Sequence, residues 1–250
     1  MPLLSRLLAC ALCMGASESM GQDTGPTAAG FLQRQGETLK VRWRSHYLTQ
    51  PPSPSTDRQQ TALALGILLA EAELIVQSQD AQQFRNNTQE VIAACRSLGL
   101  GDSIMPRLMT QAQMAQQGDW AHLSSAMGSC QDRLQALLRE QRDPDLARFV
   151  QCGNWLRLLQ ILLKAMSAEP KDGGQRQAME STSQIAIESL QRNLSSLSAQ
   201  ALAGPLGLQL EALCRGLGSL ESASNRLRDS IEQALRASAA AASPGGEAPR

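Results

Sequence analysis

Between residues 146 and 166 the chain reads LARFVQCGNWLRLLQILLKAM. Wound as a helix, Phe149, Cys152, Trp155, Leu156, Leu159, Leu162, Leu163 and Met166 cover one face and Leu158 and Ile161 widen it. Gly153, Arg157, Gln160 and Lys164 share a narrow polar or small strip. Most of the circumference favours burial, so this segment is expected to be the central helix of the fold.

A second apolar helix is expected from 58 to about 78, with an unbroken apolar run from Ala62 to Ala70 that Glu71 and Glu73 bring to an end. That run is less than half of the roughly 20 residues a membrane span needs, which predicts a core helix and no transmembrane helix in the mature chain. Ala62, Gly66 and Ala70 lie one turn apart and would let another backbone come close. Laid without gaps on VQCGNWLRLLQILL, the segment LALGILLAEAELIV pairs Gly66 with Gly153, Leu69 with Leu156 and Glu73 with Gln160. Either a helical unit is duplicated, or two core helices obey one packing rule. Both readings put Gly66 and Gly153, with Trp155 alongside, at a close helix crossing.

The remaining pattern divides at turn and cap residues. A first helix is expected over 28–48, ended by Gln50-Pro51-Pro52-Ser53-Pro54, with Thr56 or Asp57 capping the next. Asp80 opens a helix to about 98, Asp102 or Ser103 caps another with Pro106 in its first turn, and Gly118-Asp119 and Asp143-Pro144 mark two further boundaries. The loop 169–174 could divide the domain, but the apolar stripe of the next segment, 175 to about 201, is too thin to form a core alone and should fold back. Gly204-Pro205 then turns the chain into a last helix, 206 to about 236, and the low-complexity 237–250 reads as a disordered tail. The expected fold is an all-α domain over 21–236 with seven or eight helices, arranged as an antiparallel bundle or stacked helical hairpins.

Composition agrees with that reading. Aromatic residues are 3% of the chain, and Leu, Ala, Gln, Arg, Glu and Ser dominate at the expense of strand-forming types. With 23 basic and 23 acidic residues the formal charge is zero, which argues against a nucleic-acid partner. Only Lys40-Val41-Arg42-Trp43-Arg44-Ser45-His46-Tyr47 interleaves basic and aromatic residues, and an amphipathic helix explains it as well. Residues 1–20 have the build of an export signal: Arg6, an apolar stretch from Leu7 to Ala16 and small residues before a cut. A periplasmic or secreted location follows as the expectation. Leu7-Leu8-Ala9-Cys10 resembles a lipobox but lies too near the N-terminus for a lipid anchor.

Removal of Cys10 and Cys13 with the signal would leave Cys95, Cys130, Cys152 and Cys214, each within an apolar helical face. An even number in an oxidising compartment leads us to expect two disulfides, in any of three connectivities. Buried free thiols are the alternative. No Cys-x-x-Cys occurs among these four, neither His46 nor His122 follows a glutamate by three positions, and no nucleophile elbow or phosphate loop is present. Met105 and Met109 stand one turn apart, a spacing that core packing produces more readily than soft-metal binding. Asn86-Asn87-Thr88 and Asn193-Leu194-Ser195 match the glycosylation triplet. The sequence therefore leads to no cofactor, no metal and no catalytic residue. It points to an exported, non-enzymatic helical scaffold or protein-interaction module with an unknown protein partner. A bundle that binds a small hydrophobic ligand or cofactor near Trp155 and Leu159 is the alternative, and an enzyme without a recognisable motif comes last.

Overall fold

A computed structural model describes residues 42–167 and 173–217. The expected signal segment, most of the 28–48 helix, the loop core at 168–172, the distal half of the last helix and the tail lie outside the described residues.

Among the described residues the fold is all-α, with eight α-helices and no strand. They are α1 (Arg58–Ser78), α2 (Ala81–Ser97), α3 (Gly101–Gln117), α4 (Trp120–Glu140), α5 (Pro144–Ser167), α6 (Gly173–Ser195), the single turn α7 (Ala199–Ala203) and α8 (Pro205–Gly216). Short polar boundaries make successive long helices fold back as hairpins. Asp57 caps α1 by accepting from the Gln59 and Gln60 amides, Asp80 caps α2 and Asp119 caps α4, each offering its carboxylate to amides left orphaned in the first turn. At the start of α3 the expectation fails. Leu100 occupies the cap position without a side-chain bond, and Asp102 lies inside the first turn, where its charge meets the positive end of the helix.

The end of the expected 28–48 helix also differs. Trp43–His46 is a single 3-10 turn, followed by a non-helical run through Pro51 and Pro52 to Ser55. Ser55 is tied down by its amide and carbonyl bonding to the Thr61 hydroxyl, at 3.0 and 2.9 Å. This segment thus crosses the helices as a strap instead of extending as an α-helix.

One apolar cluster runs from Trp43 to Leu217 and draws on α5 through Leu146, Phe149, Cys152, Trp155, Leu159 and Leu163. A smaller cluster joins the C-terminal half of α1 to α2, α3 and α4 through Ile75, Phe84, Ala115, Leu123 and Met127. By length and composition α1 could cross a membrane, yet 89% of its most apolar window is buried inside the protein.

At the centre α1 and α5 cross in parallel at two glycines. A Cβ on Gly66 would overlap the Val150 carbonyl and come within 2.9 Å of the Asn154 amide nitrogen. A Cβ on Gly153 would overlap the Leu63 carbonyl and come within 3.0 Å of the Ile67 nitrogen. The two sets of contacts are reciprocal, because the sequence offset that lays Gly66 on Gly153 also lays Leu63 on Val150 and Ile67 on Asn154. The hairpin partners follow suit. With a second offset, the buried residues of α2, Phe84, Asn87, Thr88, Val91, Ala94 and Cys95, fall on Met179, Thr182, Ser183, Ala186, Ser189 and Leu190, all buried in α6. The Thr88 hydroxyl donates to the Phe84 carbonyl and the matching Ser183 hydroxyl to the Met179 carbonyl, both at 2.8 Å. Hairpins α1–α2 and α5–α6 are thus related by a pseudo-two-fold axis through the glycine crossing.

Candidate functional site

Charged residues rarely enter a fully buried helix face unless they are paired. Three do so here. Arg157 of α5 is completely buried, and Glu71 and Glu73 of α1 are each 2% exposed. The strip of α5 that carries Gly153, Arg157 and Gln160 therefore faces the interior and not solvent, because α1 packs backbone to backbone against it at the glycine crossing.

Arg157 is held on every side. Its Nε and Nη2 donate to one carboxylate oxygen of Glu71 at 2.8 and 2.6 Å, Nη1 donates to the Gln160 amide oxygen, and Nη2 also donates to the His46 carbonyl at 2.5 Å. The other oxygen of Glu71 accepts the Leu48 amide at 2.8 Å. Five bonds thus join α1, α5 and the strap around one ion pair. Burial works to lower the Arg157 pKa and the Glu71 carboxylate works to raise it; burial is the larger effect. Arginine's high intrinsic basicity keeps it charged nonetheless.

The pseudo-symmetry explains why Glu73 lacks such a partner. The offset that matches the glycines lays Glu73 on Gln160 but Ala70 on Arg157, so the α1 copy has no guanidinium. Among the described residues Glu73 instead accepts a long 3.4 Å bond from the Gln131 amide of α4. Burial raises its pKa to about 8, which leaves it protonated at neutral pH. Glu71 and Glu73 thus face different neighbours. Beside the crossing, the Asn154 side-chain oxygen is buried and accepts no hydrogen bond among the described residues.

No protein-family model matches this chain, and neither does any curated protein or solved structure. The site must therefore be read from its own chemistry.

Among the described residues no three His, Cys, Asp or Glu side chains converge as metal ligands. Met105 and Met109 are on the surface: Met109 is 57% exposed, and the Met105 sulfur accepts a 3.5 Å bond from Arg96. His122 is exposed and bonds Asp119 at 2.8 Å, which holds the Asp119 carboxyl below its usual range. Trp155 is buried in the main core next to Gly153 and Asn154. Both glycosylation triplets fall inside helices, and Thr88 is buried with its hydroxyl engaged.

The expected disulfides are absent: Cys95, Cys130, Cys152 and Cys214 are free and buried. Each sits in the apolar cluster as a small hydrophobe. Burial pushes the Cys95 thiol up to about 12 and the Cys214 thiol up to about 11, and it raises those of Cys130 and Cys152 as well. Thiolate, the form that reacts, is therefore suppressed at all four positions.

Sequence reasoning noted Glu71, Glu73, Arg157 and Gln160 but did not pair them. The signal was present in their placement, because charges interrupt the two most apolar helices of the chain. His46 and Leu48 could not have been found that way, since they contribute backbone groups.

Proposed function

We propose that this chain is an exported, non-enzymatic helical scaffold that works by presenting its surface to a protein partner. The observation that carries this reading is the use made of the interior charges. Arg157 and Glu71 are spent on one another, on Gln160 and on the backbone of the strap, an arrangement that ties elements together and exposes no reacting group to a substrate. Catalysis at neutral pH draws on accessible nucleophiles or on acid/base groups within reach of a substrate. Here the raised thiols and the protonated Glu73 are sealed in the core. Export rests on the charged, apolar and small-residue order of 1–20.

The test is purification of the full chain from its native host under mild conditions, followed by native mass spectrometry. A protein partner retained at constant stoichiometry, and a mass shortened by the first 20 or so residues, are expected. A bound lipid or chromophore in equimolar amount would overturn the scaffold reading in favour of a ligand-binding bundle, and an uncut N-terminus would remove export.

A further inference from the structure

The strap is fastened at points that differ in chemistry. Trp43 is inserted into the main apolar cluster and is 8% exposed. The Leu48 amide and the His46 carbonyl bond to Glu71 and Arg157, so the strap covers the interior ion pair and completes its coordination. His46, itself part of the strap, is also only 8% exposed. From α5 the Arg157 guanidinium, whose Nη2 holds the His46 carbonyl at 2.5 Å, and the Lys164 ammonium two turns further along that helix both oppose its protonation. From α1 the nearby charge is Glu71, already committed to Arg157; from α2, Asp80 pairs at 3.7 Å with Arg44 of the strap.

We propose that residues 43–48 form an acid-released strap: protonation of His46 sets a third cation against Arg157 and Lys164 and lifts the strap from α1 and α5, uncovering the Glu71–Arg157 centre. Neutral imidazole is tolerated in this buried position, whereas imidazolium loses its hydration there and meets the Arg157 charge. The glycine crossing beneath involves no titratable side chain, so the helices stay together when the strap leaves.

The direction of the linkage follows from the attached and free states. Burial first, and the Arg157 and Lys164 charges next, hold the attached imidazole below its ordinary 6.5. Once released, it returns to that ordinary value, so release takes up a proton in the interval between the two. As pH falls from 6.5 toward the lowered value, the free strap gains up to about tenfold over the attached one per pH unit.

Hydrogen exchange of the full chain, corrected for intrinsic rates, tests this between pH 7.5 and 5. Amides of 43–48 are expected to lose protection as the pH falls while those of α1 and α5 keep theirs. His46→Gln is expected to abolish the pH response, and His122→Gln to leave it intact. In the wild-type protein, which needs no variant to fold, the His46 ring signal should shift with the same midpoint as strap release. An unchanged acid response in His46→Gln, loss of the response in His122→Gln, a ring midpoint apart from that of release, or simultaneous loss of protection in α1 and α5 would each overturn the proposal.

Discussion

Arg157 shows how much depends on a single buried charge. Its partners are all internal, so truncation does not merely remove a bond but strands Glu71 in a medium that cannot solvate it. Arg157→Met should destabilise the protein by about 3–5 kcal/mol in urea unfolding. Adding Glu71→Gln should restore a large part of that loss, since no uncompensated charge is then left; a double variant as weak as the single would refute the pairing as the cause. Glu73 makes the opposite prediction. Its folded pKa, about 8, lies above the ordinary 4.5 of the unfolded chain. The folded state therefore holds a proton that the unfolded state has released, and stability falls as pH rises from about 4.5 to about 8. Glu73→Gln should remove that slope, with a gain over wild type that grows by roughly a factor of ten in the folding equilibrium per pH unit across the window. Equal pH profiles for the two proteins would show that Glu73 is ionised in the fold.

At the scale of the element, the informative contrast is between glycines that look alike in sequence. Gly66 and Gly153 bring backbone against backbone, where nothing flexible can yield. Gly128 of α4 has nothing within 4 Å of where a Cβ would be. Gly66→Ala and Gly153→Ala should each force α1 and α5 apart and cost at least the roughly 1–3 kcal/mol of ordinary overpacking. Gly128→Ala should stabilise by about 0.8–1.0 kcal/mol through helix propensity alone. Thermal unfolding of the three variants separates the cases, and a Gly153→Ala protein as stable as wild type would remove the crossing. The helix boundaries were legible because Asp57, Asp80 and Asp119 are placed where caps are needed. The strap was not. Its basic and aromatic residues suit an amphipathic helix, but its path follows Trp43 and two backbone bonds to residues distant in sequence.

For the whole molecule, the four free thiols distinguish a core that holds by packing from one held by covalent ties. The chain is long enough to bury about 70% of its unfolded surface, so disulfides are not required for a core of this size. Alkylation without reductant should find the four cysteines Cys95, Cys130, Cys152 and Cys214 unreactive in the native protein and all reactive once it unfolds, in a single transition. Fewer than four reactive thiols after unfolding would restore the disulfides. The pseudo-two-fold arrangement belongs to this scale too. One copy of the central helix carries Arg157 and Leu158 where the other carries Ala70 and Glu71, and those two differences create the closed ion pair and leave the Glu73 carboxyl without a guanidinium.

By itself the sequence determined the class of the fold, the position of most helices and the identity of the two apolar helices at its centre. These follow from local periodicity and capping, which act over a few residues and leave their mark in the order of the chain. It also showed that charges interrupt those helices. Only the tertiary structure decided what the charges meet: Glu71 finds Arg157 far along the chain, and the strap supplies a carbonyl and an amide that no side-chain pattern encodes. The fate of the cysteines was settled at the same level, because bonding between thiols depends on their approach in space, whereas their apolar surroundings were already written in the helix faces.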